Sequence, residues 1–362
     1  MNMKRSIFLY ALVAIGALWA QPADACTGIA FTAKDGSRVV ARTVEWAATP
    51  MDCGYAIVPR GQVQTSYTPT GANGLKFKAR YGYAGIYTEY ESFVVEGLNE
   101  KGLSAGLFFF PQYGSYPAYD ASANDLTLCD MQFVPWVLSQ FSCIDEVKEG
   151  LKNVRLVTLD SKIGAVHWRI SEPGGRMVVL EFVDGEPHFY ENPLGVLTNA
   201  PGFQWHLANL NNYVNLYSGA AQSHDIASGV TLKQFGGGSG MLGLPGDFTP
   251  PSRFVRAAFL QTTAPEQPTG FAAVTMAFHV LNNFDIPVGM QFQKGDAPSG
   301  MQSATQVTSA SDQQALRLYY RTGFDSTIRC IDLKAIDFSK VKMQHAPLDP
   351  VRTQPVEMIK IS

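Results

Sequence analysis

The chain has no surplus of positive charge. Its 362 residues carry 28 Lys and Arg against 31 Asp and Glu, a net charge of −3. That balance gives no support for binding nucleic acid or an anionic membrane surface. No apolar run is long enough to cross a bilayer: the most apolar stretch, Ile7 to Ala20, falls short of the roughly 20 residues a spanning helix needs. The six histidines (His167, His188, His206, His224, His279 and His345) show no paired spacing of the kind metal sites use, so no metal is expected. Gly236-Gly237-Gly238-Ser239-Gly240 is not followed by Lys-Ser/Thr in phosphate-loop spacing, and reads as a flexible loop. Neither an internal repeat nor a dividing linker is present. Charged residues make up only 16% against 46% hydrophobic, which points to one well-buried body.

Cysteine is scarce and odd in number: Cys26, Cys53, Cys129, Cys143 and Cys330. An odd count in an exported chain leaves at least one thiol free or employed. Cys129 and Cys143 flank an expected helix, Leu126 to Gln140, which would hold them about 21 Å apart. A disulfide needs Cα atoms within about 7 Å, so that pair is doubtful. A Cys53–Cys330 bridge stays open.

Export is expected from the first 25 residues. Lys4 and Arg5 open the chain, Ile7 to Ala20 follows, and Ala23-Asp24-Ala25 places small residues at −3 and −1 of a cut before Cys26. The body would then be residues 26–362, periplasmic or secreted. A lipoprotein signal also ends at a Cys and ranks second, because positions 23 and 24 are Ala and Asp. The distinction has chemical weight, since acylation would cap the new amine.

Turn chemistry and alternation place the elements. Cys26 to Ala33 and Arg38 to Trp46 read as a hairpin around Asp35-Gly36, and Phe93 to Glu96 with Leu103 to Phe110 as a second. Gly61 to Gly74 and Pro111 to Asn124 read as loops. Ile144 to Leu151 reads as a helix, and Ala165 to Ile170, Met177 to Val183 and His188 to Tyr190 as strands, with a turn at Asp184-Gly185. Trp205 to Tyr213 and Ser252 to Leu260 read as helices on either side of a Gly/Pro loop, Phe235 to Pro251. Val307 to Thr322 and Thr327 to Asp332 read as closing strands.

A cysteine at the head of a processed chain carries its own base. A free thiol titrates near about 8.5 and an α-amine near about 7.7–8.0. At neutral pH the amine is partly neutral, so it can take the thiol proton and later pass it to a leaving amine. The plainer alternative is a buried core cysteine beside a cut that falls a residue or two away.

Six ordered blocks accompany that cysteine. They are Cys26-Thr27-Gly28 with Ala41-Arg42-Thr43-Val44-Glu45-Trp46, EGLNEKGLSAGLFFFP at 96–111, LTNAPGFQWHLANLNNY at 197–213, LGLPGDFTPPSRFVRA at 242–257, LNNFDIPVG at 281–289 and LYYRT at 318–322. Together they resemble the choloylglycine hydrolase family of N-terminal nucleophile amidases, which includes bile salt hydrolases and penicillin V acylases. The resemblance implies an α+β, four-layer αββα fold with two stacked antiparallel sheets. It implies cleavage of a linear amide in a small N-acyl substrate, with no cofactor.

The same resemblance distributes roles. Cys26 would be the nucleophile, and Arg42 would favour its thiolate. Glu45 stands where the family usually has Asp, to hold the α-amine. Asn199 would donate to the oxyanion, a contact worth about 3–4 kcal/mol. Arg253 would support the charge, with Arg256 structural. Read without the family, Arg42 and Glu45 are solvated strand residues, and Asn199 caps the turn before Pro201. Phe109 departs from the family's Asn or Tyr and offers no side-chain donor. Trp46, Phe108, Phe109, Phe110 and Tyr113 suit an apolar acyl pocket, although the three phenylalanines fit core packing as well. The resemblance leans towards a penicillin V or N-acyl homoserine lactone acylase. A bile salt hydrolase is close behind, and an anchored or inactive binding member is further off. The oligomeric state is not legible in the sequence; many relatives are tetramers, and the resemblance leaves a homo-tetramer open.

Overall fold

A computed structural model describes residues 25–46, 49–159, 164–301 and 303–361. The export segment expected before Ala25 lies outside the described residues.

Two antiparallel sheets form the middle of the molecule. The smaller runs in the order Thr27–Thr32, Arg38–Glu45, Thr305–Asp312, Arg317–Thr322, Arg329–Asp332. The larger has eight strands, ordered Glu186–Glu191, Met177–Val183, Val166–Ser171, Ser104–Phe109, Val94–Asn99, Tyr83–Thr88, Cys53–Val58, Gln344–Pro347. The central strands of each are buried on both faces, the pattern of a sheet covered on each side. Val44, Val307, Leu318 and Tyr320 of the small sheet join the same apolar cluster as Ile86, Leu98, Trp168 and Leu180 of the large one.

Helices close the two outer faces. Against the large sheet lies α1 (Phe133–Gln140), with α2 (Ile144–Leu151) burying Ile144, Val147 and Leu151 in the same cluster. The short α3 (Phe203–Asn209) follows the large sheet's edge strand. Against the small sheet pack α4 (Pro250–Thr263) and α5 (Gly270–Leu281). Pro250 and Pro251 open α4, where a missing N–H is harmless. The result is the α+β, helix–sheet–sheet–helix layering expected from the family resemblance.

Both expected hairpins form. In the first, Thr27 faces Thr43 and Gly28 faces Arg42. In the second, Glu96 faces Gly106. The turn at Asp184-Gly185 has φ of 51° and 80°, as a two-residue hairpin requires.

One expectation needs correction, one open question is answered and one helix was unforeseen. The helix expected over Leu126 to Gln140 is α-helical only from Phe133, after a single 3-10 turn at Asp130–Gln132. Thr127–Cys129 is instead a strand paired in parallel with Arg155–Val157. Pro135 sits in the first turn of α1, where it breaks no helical hydrogen bond. The bridge left open between Cys53 and Cys330 does not form, since all five cysteines are unpaired; Cys53 lies in the large sheet and Cys330 in the small one. Finally, α5 occupies a stretch that no expectation covered.

Candidate active site

Cys26 sits immediately before the first strand of the small sheet, at the seam between the sheets. It is 6% exposed. Two hydrogen bonds join Gly28 to Leu197: the Gly28 N–H donates to the Leu197 carbonyl (2.7 Å) and the Leu197 N–H donates back (3.1 Å). This bridge delivers Asn199 to the cysteine. Position 28 has to be glycine because a Cβ there would lie 2.9 Å from Cζ of Phe108, closer than a packed interior allows.

Asn199 uses both ends of its amide. Oδ1 accepts from the Cys26 N–H (2.8 Å) and from Arg253 Nη2 (2.7 Å), and Nδ2 donates to the Phe109 carbonyl (2.8 Å). An amide NH₂ has two donors, so one N–H remains for a substrate oxygen. Arg253, fully buried on α4, also donates to the Cys26 carbonyl, to Thr27 Oγ1 (2.9 Å) and, through Nε, to the Phe248 carbonyl (2.8 Å). Burial lowers its guanidinium to about 10, against the pull of Glu45 and Cys26.

Glu45 closes the second strand. Its Oε1 accepts from Thr305 Oγ1 (3.2 Å), while its buried Oε2 has no hydrogen-bond partner of good geometry among the described residues. Burial pushes this carboxyl up to about 8, although Arg253, the nearby Thr43 hydroxyl and Arg42 oppose the shift. The Glu45 charge and backbone N–H both act on the Cys26 sulfur. Burial also raises the Cys26 thiol, with Arg42 opposing and Glu45 adding to it. While the chain runs on through Ala25, Cys26 is therefore a protonated thiol with no amine beside it.

Arg42 is buried between the sheets. Nε donates to the Thr43 carbonyl (3.1 Å), and Nη1 to the carbonyls of Val95 (3.3 Å) and Leu107. Glu96 lies 3.9 Å away and bonds more closely to Arg169 (2.7 Å), which in turn donates to the Ala41 carbonyl (3.1 Å). Two buried arginines thus share one buried carboxylate across the gap between the sheets.

The aromatic residues fall into two groups. Phe108 and Phe110, expected either in an acyl pocket or in the core, are fully buried. Phe108 lies under the Arg42 guanidinium at 4.0 Å, and Phe110 stacks on His167 at 4.5 Å. Phe109 packs against the large-sheet core and gives its carbonyl to Asn199. Trp46 is partly buried and Tyr113 half exposed, so these two keep surface for a ligand.

Sequence reasoning overlooked a rear support. His206 donates from Nε2 to the Asn199 carbonyl (2.9 Å) and stacks on Phe254. His167 donates to the Thr198 carbonyl (3.0 Å) and faces Glu181 at 3.1 Å. Both carbonyls can only accept, which fixes the proton on each Nε2. Glu96 and Glu181 each carried one signal in the sequence, a lone carboxylate inside a mainly apolar strand, and His167 and Arg169 another, two titratable groups flanking Trp168 in one short strand.

The chain has counterparts among known proteins. Residues 26–345 match the family described as linear amide C–N hydrolases, choloylglycine hydrolase family. The chain belongs to this family, and is an enzyme of that class. It is 32% identical over 323 residues to a bile salt hydrolase/transferase of Clostridium perfringens, covering 88% of this chain and 95% of that protein. The crystal structure of a mutant conjugated bile acid hydrolase from the same organism superposes with a TM-score of 0.78 at 28% identity, over 92% of this chain and 100% of that one. A penicillin V acylase from Agrobacterium tumefaciens shares the fold at a TM-score of 0.68 and 22% identity, over 87% and 88% of the two chains. No helix among the described residues is long and apolar enough to cross a membrane.

Proposed function

We propose that this family member hydrolyses conjugated bile salts, with Cys26 as an N-terminal nucleophile exposed by a cut after Ala25. The observation that carries the mechanism is the burial of Glu45 in electrostatic reach of Cys26, with no well-formed hydrogen bond to its Oε2 among the described residues. A carboxylate oxygen left bare in the interior is costly, and a cation beside it removes that cost. The cut creates such a cation, the Cys26 α-ammonium.

In the reaction, the α-amine takes the thiol proton and the thiolate attacks the amide carbon. The developing oxyanion receives the second N–H of Asn199. The C–N bond breaks, the leaving nitrogen takes the proton from the α-ammonium, and a thioester remains. Water, deprotonated by the same amine, hydrolyses the thioester and returns the thiol. Arg42 and Arg253 counter the negative charge on sulfur, as nearby cations do.

Bile conjugates are preferred over penicillin V or acyl homoserine lactones because the similarity to named bile salt hydrolases is stronger in identity and coverage. Export before Cys26 is part of the same reading, and the family match itself opens on Cys26. Assembly into a homo-tetramer is proposed as well, supported by an exposed hairpin at residues 224–232 that displays Ile226, Val230 and Leu232.

The test uses protein beginning at Cys26, confirmed by intact mass, with amine release measured from glycine- and taurine-conjugated bile acids, penicillin V and an N-acyl homoserine lactone. The bile conjugates should show the highest kcat/KM, and Cys26→Ala should abolish release from all. A higher kcat/KM on penicillin V or the lactone overturns the substrate assignment. A diacylglyceryl mass on Cys26 in active protein overturns the mechanism.

A further inference from the structure

Ala25 is the only residue of the segment ahead of Cys26 among those described, and it is 3% exposed. It belongs to a small apolar cluster with Ile286 and Ala304, against which Phe248 and Phe292 pack. This cluster is separate from the two large cores.

Its walls are tied to the catalytic residues. The Trp46 N–H donates to the Ala304 carbonyl (2.8 Å), and the Ala304 N–H to the Ile286 carbonyl (2.9 Å). The Ile286 N–H donates to Thr305 Oγ1 (3.1 Å), the hydroxyl that also serves Glu45. Phe248 holds Nε of Arg253 through its carbonyl. The seat is therefore built into the same frame as Glu45 and Arg253.

Resting on the amidase mechanism above, we propose that the seat of Ala25 becomes the subsite for the leaving amine once the Ala25–Cys26 bond is cut. Two constraints put the amine there. Ala25 is joined to the nitrogen of Cys26, so its Cα lies about 3.8 Å from that of the nucleophile. The leaving nitrogen has to come within hydrogen-bond reach of that same Cys26 nitrogen to collect its proton. The first carbon of the leaving group thus enters the space that Ala25 fills in the uncut chain. Ile286, Ala304, Phe248 and Phe292 offer this carbon an apolar lining sized for a methyl or little more. The ligand class is an amine with a compact apolar substituent on the carbon bonded to nitrogen, such as a small α-amino acid. The uncut chain is self-blocked by the same contact.

The experiment uses the processed enzyme and one acyl group carried on glycine, alanine and valine. Selectivity is read as ratios of kcat/KM within each variant, so a general loss of activity cancels. Ala304→Leu fills the seat and should lower the alanine-to-glycine ratio about tenfold, the order expected for a methyl-sized change in an apolar pocket. Ile286→Ala widens it and should raise the valine-to-alanine ratio by a similar factor; this variant answers the question if Ala304→Leu does not fold. Ratios within about twofold of the parent in Ile286→Ala overturn the seat while leaving the amidase intact. Cleavage of none of the three by a parent enzyme that still cleaves a taurine conjugate overturns the seat alone; cleavage of no amide at all, or cleavage that survives Cys26→Ala, removes the amidase reading and the seat with it.

Discussion

Glu45 behaves differently before and after the chain is cut. In the uncut chain, burial holds its carboxyl at about 8, whereas an unfolded glutamate titrates near about 4.3. A raised carboxyl binds its proton more tightly in the native state. Its contribution to stability is complete below about pH 4.3 and is lost as pH rises through about 8. Glu45→Gln in uncut protein should therefore raise the melting temperature at pH 8.5 more than at pH 5, which scanning calorimetry measures. In processed enzyme the same variant loses the partner of the α-ammonium, and kcat should fall about 100-fold, the scale of general acid–base assistance. His206 has the opposite sign. Burial lowers it to about 4 from an ordinary value near about 6.5, so its contribution is present above about pH 6.5 and is lost as pH falls through about 4. His206→Gln keeps a donor for the Asn199 carbonyl and removes the titration. The variant should resist acid better by about 2–3 kcal/mol between pH 6.5 and 4, read from urea unfolding at both pH values.

The hairpins transmit these effects, and they also show how much of the fold was legible in the chain. Strand alternation and Asp-Gly turns announced the Thr27–Thr32/Arg38–Glu45 pair and the strands around Asp184-Gly185, because one local rule governs each. The stretch 127–132 was misleading because it is almost wholly buried, so its apolar spacing carried no helical information. Helix α5 does bury residues 270, 273, 274, 277, 278 and 281 at helical spacing, but its almost uniformly apolar composition hid the face. Arg42, Glu45, Asn199 and Arg253 were placed only through the family blocks, whereas Cys26 was also marked by the cut expected before it. Nothing in the chain signalled that Glu96 and Arg169 support Arg42 from the opposite sheet, since that contact crosses between elements far apart in sequence. Glu96→Gln tests the support: it leaves two buried arginines without their shared charge, and should destabilise the fold by about 3–5 kcal/mol in calorimetry. Gly28→Ala tests the close approach of Phe108 and should lose about 1–3 kcal/mol, measured the same way.

At the scale of the whole molecule, one element is not explained by a single copy of the chain. The strands His224–Ala227 and Val230–Leu232 pair with each other alone, and all their residues are exposed. A lone two-stranded hairpin is marginal in water, and this one displays Ile226, Val230 and Leu232, with Val214 and Leu242 exposed in the flanking segments. These exposed apolar side chains support the assembly proposed above, in which another copy would cover the hairpin with its own in a closed, symmetric oligomer. Replacing residues 222–234 with a short Gly/Ser linker should then turn an oligomer into a monomer of about the chain mass, 39.5 kDa less the leader and the excised residues. Light scattering on the processed enzyme measures this directly. Amide hydrolysis per chain should persist in the shortened protein, because the site is assembled from the two sheets, α4 and the loop carrying Asn199 within one copy. A parent enzyme that scatters as a monomer at assay concentration sinks the assembly and leaves the chemistry at Cys26 untouched.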